Sequence, residues 1–294
     1  MTNFDHKCLA LLYILSLLLA SCSDDILAPI ATLSYTTSDG VGNEMDVFFE
    51  DSGVHPGSPS PPPPKPAILY FHGGSWISGT REKIHQRYRE PMLRRLVEKG
   101  FIIFSVDYRL IGLGRGHMEN TLSDCCDALR YVISNAKNLG VDTTHIGLWG
   151  SSAGAHLAMM TAFTDSAAAR CVRFLIDDFG PVDISRMCRM VPDWGREYVS
   201  DMIFDLESKN LDKFDSLATI FSPINYQTDI PVLIFHGEDD DVVDISQSRL
   251  LHNKLATNSR FITFPDNGHG LKNLDSTQLK KYMDSVENFL DTIR

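Results

Sequence analysis

The 294-residue sequence lacks any basic excess: 27 lysines and arginines stand against 38 aspartates and glutamates, a formal charge of −11 at pH 7. With no positive surplus to neutralise a phosphate backbone, nucleic acid is excluded as a partner, and the acidic surface implies chiefly solubility. Cysteine is sparse, and no spacing resembles a zinc site. Cys125 and Cys126 fall in a helical pattern and read as small buried apolar residues, while the pairing of these two with Cys171 and Cys188 is not readable. No internal repeat is present. The longest apolar run, Cys8 to Ala20, is shorter than the roughly 20 residues of a spanning helix and stops at Ser21, Cys22, Ser23, Asp24 and Asp25. What remains, 43% hydrophobic and 22% charged residues, suits one large domain with a sizeable core.

Lys7 followed by that short apolar run and small residues reads as a secretory signal. Leu19, Ala20, Ser21 and Cys22 resemble the bacterial lipoprotein box. The resemblance implies a signal peptide over 1–21, a diacylated Cys22 that anchors the chain to a membrane in the periplasm or at the cell surface, and a short exported linker over 22–31.

Two alternating segments, Thr32 to Thr37 and Met45 to Glu50, flank a turn with Asp39, Gly40 and Gly42, and predict an antiparallel hairpin at a sheet edge. Residues 58–66, with Pro61 to Pro64 consecutive, predict a stiff polyproline connector. From Ala67 apolar strands alternate with helical patterns. Strands are expected at Ala67–His72, Phe101–Asp107, His145–Gly150, Phe174–Phe179, Val232–His236 and Phe261–Phe264. Helices are expected at Arg81–Lys99, Leu122–Asn138, Ser152–Thr164, Ser246–Thr257 and Ser276–Ile293. This is the pattern of an α/β fold over 32–294: a mostly parallel sheet covered on both faces, with its ligand crevice beyond the carboxyl ends of the strands. Residues 183–226, rich in Met and aromatics without a clear strand, predict a helical insertion over the site.

Gly150, Ser151, Ser152, Ala153 and Gly154 spell GxSxG. Three fixed positions of common residues recur by chance in about one chain in ten of this length, so the letters alone decide little. Their place between a predicted strand and a predicted helix decides more. A sharp strand-to-helix turn exposes the Ser152 hydroxyl, and aims the Ala153 amide and the positive end of the helix at an oxygen gaining negative charge. His72, Gly73, Gly74, Ser75 and Trp76 follow an earlier strand where a hydrolase needs further oxyanion donors, so the amides of Gly73 and Gly74 are expected to join that of Ala153. A serine hydroxyl needs a base, and His269, between Gly268 and Gly270 after the last strand, is suited to the role. His145, His156 and His236 lie on regular elements and read as structural. The partnering carboxylate belongs to the loop Glu238, Asp239, Asp240 and Asp241, whose four acids the residue pattern does not separate.

HGGSWISG from His72, VDYRL from Val106, GSSAGAHLA from Gly150, SPINY from Ser222, HGEDDDVV from His236 and NGHG from Asn267 resemble the hormone-sensitive-lipase-like esterases of the α/β-hydrolase superfamily, and most of all the bacterial acetyl-xylan and feruloyl esterase branch. The resemblance spans Ala67 to the C-terminus. It departs at Asp244, where proline is usual, and in the length of the proline-rich insertion. It implies that the acid is the fourth residue after the HG histidine, Asp240. It also implies a serine carboxylesterase acting without metal or organic cofactor on short or aromatic acyl esters, as small molecules or linked to plant polysaccharide. Asp107, Tyr108 and Arg109 match a family motif and read as structural. The same machinery serves arylformamidases and peptidase-type amide hydrolases, and a lipid-anchored binding protein without catalysis is the remaining alternative.

Overall fold

The computed structural model describes residues 26–50, 63–112, 117–165, 168–189 and 211–293. The signal segment with Cys22, the proline-rich loop up to Pro62, and 190–210 of the insertion lie outside the described residues.

Eight strands form one sheet in the order β1-β2-β4-β3-β5-β6-β7-β8. Strands β1 (Ala31–Thr36) and β2 (Gly42–Phe48) make the antiparallel edge hairpin, and β2 runs antiparallel to β4 (Ile102–Val106). From β4 onward all pairs are parallel: β3 (Lys65–Phe71), β5 (Val141–Ser151), β6 (Val172–Asp178), β7 (Val232–Gly237) and β8 (Ser259–Phe264). Both faces are covered, which is why these strands read as continuous apolar runs. Ala67, Leu69 and Phe71 of β3 face one core, with α2 (Met118–Ser134) and α4 (Ala153–Thr164). Ile68 and Tyr70 face the other, with α1 (Arg89–Glu98) and α8 (Ser276–Asp291). Helix α7 (Ser246–Leu255) contributes Leu251 and Leu255 to the first core. Helix α4 is buried at every position from Ala153 to Ala162, so it has no polar face to give it an amphipathic period. This is the α/β-hydrolase fold. The register brings Phe71 beside Gly150, Ser151 beside Asp178, and Gly237 beside Phe264, so the loops after β3, β5, β7 and β8 open on one edge of the sheet.

Three elements differ from expectation. The helix expected at Arg81–Lys99 is a short turn, Arg81–His85, then a break, then α1. Pro91 is the reason. A proline inside a helix lacks the N–H that would bond four residues back and collides with that carbonyl, here of Arg87. The chain escapes at Arg87, which sits at φ 60°, and Pro91 falls in the first turn of α1. Strand β5 starts four residues early, at Val141, because the register jumps between Lys65 and Ala67 of β3, and residues 142–145 bulge out. In that bulge Asp142 accepts from the Thr144 amide at 2.9 Å. The helix expected at Leu122–Asn138 starts earlier, at Met118, behind a reciprocal cap in which the His117 amide donates to Asn120. It breaks at Asn135, continues as the single turn α3 (Ala136–Leu139), and ends at Gly140, whose φ of 68° suits glycine.

The described parts of 183–226, α5 (Ile184–Arg189), α6 (Leu211–Ile220) and a turn at Pro223–Asn225, pack Ile184, Cys188, Phe214, Ala218 and Phe221 into the first core. None of these parts lines the cleft at the sheet edge.

Candidate active site

Strand β5 ends at Ser151 and α4 begins at Ala153, leaving Ser152 alone in the turn at φ 55°, ψ −120°. A side chain in that region costs on the order of 1–3 kcal/mol and needs its surroundings to hold it. The Ser152 amide donates to the Asp178 carbonyl at 2.8 Å, and its own carbonyl accepts from His156 at 3.1 Å. The flanking glycines are required by contact. A Cβ on Gly154 would lie 2.0 Å from the Phe71 carbonyl oxygen, and one on Gly150 would lie 2.3 Å from the Gly154 oxygen. Backbone atoms cannot move aside as a flexible side chain can.

The loops after β7 and β8 bring two further groups to the hydroxyl. His269 Nε2 is 2.9 Å from Ser152 Oγ, and His269 Nδ1 is 2.9 Å from Asp240 Oδ2. Of the four acids in the β7 loop, Asp240 alone is buried, while Glu238, Asp239 and Asp241 are exposed. Asp240 Oδ1 accepts from the amides of Val242 and Val243 at 2.9 and 2.8 Å. Burial by itself would raise the Asp240 carboxyl. Hydrogen bonds from His236 and His269, with the charge of His269, outweigh it and hold the group well below the usual carboxylate range. His236 lies beneath, its Nε2 2.7 Å from the Val243 carbonyl and its Nδ1 2.7 Å from Ser248 Oγ. It fixes the acid loop and stays away from the hydroxyl.

The histidine loop is pinned by a residue that the sequence pattern did not single out. Asn267, wholly buried, donates to the Pro265 carbonyl and to Gln278 at 3.1 Å, and accepts from the Asn273 amide at 3.1 Å. Its carbonyl accepts from Asp239 at 3.0 Å, joining the acid and histidine loops. Gly237 makes this approach possible, since a Cβ there would lie 2.1 Å from the Asn267 oxygen.

The loop after β3 closes the other side. A Cβ on Gly73 would lie 2.7 Å from the Ser151 oxygen and 3.4 Å from Ser152 Cβ, so only glycine lets this strand of backbone lie against the serine turn. Gly74, at φ 138°, turns the chain so that its carbonyl accepts from Ile77 and Ser78. The amides of Gly73, Gly74 and Ala153 meet no acceptor among the described residues. Three side chains brace the loop: Tyr108 donates to the His72 carbonyl, Lys83 to the Gly73 carbonyl at 3.0 Å, and Trp76 Nε1 to His156 at 3.2 Å. Arg109 joins Asp39 to Asp124, and Asp107 receives Arg81, so Asp107, Tyr108 and Arg109 hold loops in place.

Beneath the serine turn lies a buried polar cluster at the end of β6 that sequence reasoning missed. Asp178 accepts from Trp149 at 2.7 Å, from Tyr88 and Tyr282 at 3.0 Å, and from Ser151 at 3.2 Å. Burial pushes its carboxyl up to about 6 despite these donors. Burial pushes neighbouring Asp177, which among the described residues accepts only the Gly180 amide, up to about 8. The available signal was two consecutive acids closing an apolar strand.

Asp177 makes stability depend on pH. The folded carboxyl keeps its proton up to about pH 8, whereas the unfolded chain releases it near pH 3.9. Between those values the unfolded state binds fewer protons, so stability falls as pH rises. Asp178, with its carboxyl near 6, is largely ionised by about pH 7, and buried His72 and His156, held down to about 4 by burial, act mainly below about pH 7, where unfolded histidines near 6.5 still take up protons. From pH 7 to 8, wild type should therefore lose somewhat under about 1 kcal/mol per pH unit, and Asp177→Asn should abolish that loss. Urea unfolding at three pH values checks it, and an unchanged slope in the variant would refute it.

A family model described as BD-FAE matches residues 58–255. Esterase LipC of Mycobacterium tuberculosis is 25% identical over 249 residues, 79% of this chain and 60% of LipC. Esterase LipQ of the same organism is 26% identical over 246 residues, 78% of this chain and 55% of LipQ. The chain thus spans a little over half the length of these relatives. Among solved structures, the apo form of Thermogutta terrifontis esterase 2 superposes with a TM-score of 0.70 at 22% identity, over 92% of this chain and 96% of that one. The same protein phosphonylated by sarin gives 0.71 at 22%, with the same coverage. At these identities the likeness establishes the fold.

Proposed function

The chain belongs to the BD-FAE family, and we propose that it is a serine carboxylesterase in which Ser152 is the nucleophile, His269 the general base and Asp240 the acid that orients the histidine. The observation that carries the reading is the unbroken chain of 2.9 Å contacts from Ser152 Oγ through His269 to Asp240. With Asp240 ionised, Nδ1 keeps its proton and Nε2 is free to accept the serine's. As Ser152 Oγ bonds to the ester carbon, the proton passes to His269. The carbonyl oxygen takes the negative charge beside the amides of Gly73, Gly74 and Ala153, each such donor contributing roughly 3 kcal/mol. Collapse breaks the bond to the alcohol, which leaves with the proton from His269. Water then attacks the acyl-enzyme with His269 as base, and the freed acid leaves Ser152 restored.

The substrate class, short or aromatic acyl esters including those on plant polysaccharide, is supported by the motifs shared with the acetyl-xylan and feruloyl esterase branch. LipC, LipQ and the Thermogutta protein are themselves named esterases. The test is a panel of 4-nitrophenyl acetate, methyl ferulate, acetylated xylan and an N-formyl aryl amide. Ester turnover should exceed amide turnover by at least tenfold, and the reverse order would make the protein an amide hydrolase. An exported, lipid-anchored setting is supported by Lys7 with the apolar run Cys8 to Ala20 and by the lipoprotein-box likeness of Leu19 to Cys22. Mass analysis of the exported chain tests it, and an unacylated Cys22 would end it.

A further inference from the structure

The cleft beside Ser152 and His269 encloses about 330 Å³ and is lined by four cationic side chains, Lys83, Arg87, Arg89 and Lys272, and by no aspartate or glutamate among the described residues. This runs against the composition of a chain with formal charge −11. Elsewhere arginines meet carboxylates: Arg81 pairs with Glu44, Asp46 and Asp107, Arg94 with Glu90, Arg109 with Asp39 and Asp124, and Arg130 with Asp127 and Asp165. The four cations of the cleft form no ion pair among the described residues.

Arg89 carries the argument furthest. It is 6% exposed, yet among the described residues its guanidinium hydrogen-bonds only to neutral groups, the Lys83 carbonyl at 3.0 Å and the Tyr88 hydroxyl at 3.2 Å. The guanidinium also lies 4.9 Å from the Tyr88 ring centroid, and the charge of Asp178, hydrogen-bonded to the same hydroxyl, acts on it without forming an ion pair. A buried charge without a bonded counter-charge is unfavourable unless something else supplies one. Lys83 stands beside it, and burial together with the charge of Arg89 lowers its ammonium pKa, as expected of cations crowded without an anion. On the histidine side, Arg87 holds a left-handed backbone, φ 60°, and its Nη1 is 3.0 Å from where a Cβ on Gly270 would stand. Lys272 flanks the same glycine. The turn that Pro91 forces at Arg87 thus leaves this unpaired arginine lining the cleft beside the histidine loop.

We propose that this cluster is an anion subsite, and that the preferred substrates are esters bearing a carboxylate close to the scissile bond. The carboxylate sits either on the acyl side, as in a half-ester of a dicarboxylic acid, or on the alcohol side, as in an acylated uronic acid. The proposal rests on the esterase reading and narrows it. Arg forks match carboxylates in geometry as well as charge, and a partly enclosed cleft screens them less than open water does.

Two matched pairs separate the sources: 4-nitrophenyl hydrogen glutarate against 4-nitrophenyl pentanoate for the acyl side, and 4-acetoxybenzoate against its methyl ester for the alcohol side. Each rate is normalised to that ester's hydroxide-catalysed hydrolysis. In wild type, kcat/KM for the charged member of one pair should exceed that of its neutral partner at least tenfold. In Arg87→Gln/Lys272→Gln, both exposed positions, that ratio should fall at least tenfold. A wild-type ratio at or below one in both pairs, or a ratio that survives in the double variant, overturns the subsite while leaving the esterase reading intact. Turnover of neither member counts against the esterase reading itself. Calorimetric titration with glutarate then decides the subsite alone: binding at least tenfold tighter to wild type than to the double variant supports it, and equal binding overturns it.

Discussion

Ser152→Ala should lower kcat for a short aryl ester by about 10⁵- to 10⁶-fold, with KM and the unfolding midpoint little changed. The turn does not depend on the hydroxyl. Its strain is held by the Ser152 amide on the Asp178 carbonyl and by the close backbone contacts of Gly150 and Gly154, all of which alanine keeps. Among the described residues, the only bond lost is the 2.9 Å contact with His269. Residual hydrolysis above the uncatalysed rate should persist, because the three amides and the cleft still bind the ester and polarise its carbonyl. Circular dichroism together with steady-state kinetics separates the two effects, and a kcat within tenfold of wild type would remove Ser152 from the mechanism.

Asp240→Asn should cost about 10⁴-fold in kcat, for a reason the geometry makes specific. Oδ1 accepts two backbone amides, from Val242 and Val243. An asparagine must therefore place its carbonyl there and turn its NH₂ to the Oδ2 position, 2.9 Å from His269 Nδ1. That NH₂ donates to Nδ1, which moves the imidazole proton to Nε2, and Nε2 then faces Ser152 as a donor that cannot take its proton. The exposed neighbours act as controls: Glu238→Gln, Asp239→Asn and Asp241→Asn should each stay within about threefold of wild type in kcat/KM. Equal losses at Asp240 and Asp241 would mean that the loop acts through its overall charge.

The sheet was legible because strands covered on both faces carry unbroken apolar runs, and because β3, β4, β5, β6 and β7 each end at or just before a glycine or polar residue. GxSxG and the loop order after β3, β5, β7 and β8 placed the candidate residues at one sheet edge, and the structure brings Ser152, His269 and Asp240 into hydrogen-bonded contact there. Other features were illegible for physical reasons. Which of the four consecutive acids meets the histidine is a tertiary fact: Asp240 Oδ2 lies 2.9 Å from Nδ1 of His269 on the loop after the next strand, a contact that the residue pattern of the acid loop alone does not encode. The sequence pattern reads as one helix from Arg81 to Lys99 through Pro91, because its periodicity continues on either side of the proline and conceals the break at Arg87. The Asp178 cluster and the cationic cleft draw on segments far apart in sequence, Tyr88 with Tyr282 and Arg89 with Lys272, and meet only once the sheet has formed.

The account's central claim is that the Ser152 hydroxyl, activated by His269, is the reacting group. Treatment of the folded protein with a fluorophosphonate, followed by intact mass and tryptic mapping, tests it most directly. The account predicts one adduct per chain, on the peptide spanning 138–170, with fragment ions placing it on Ser152 and no adduct in Ser152→Ala. An adduct on Ser151 or elsewhere, or a chain that takes up no label while still hydrolysing esters, would contradict it.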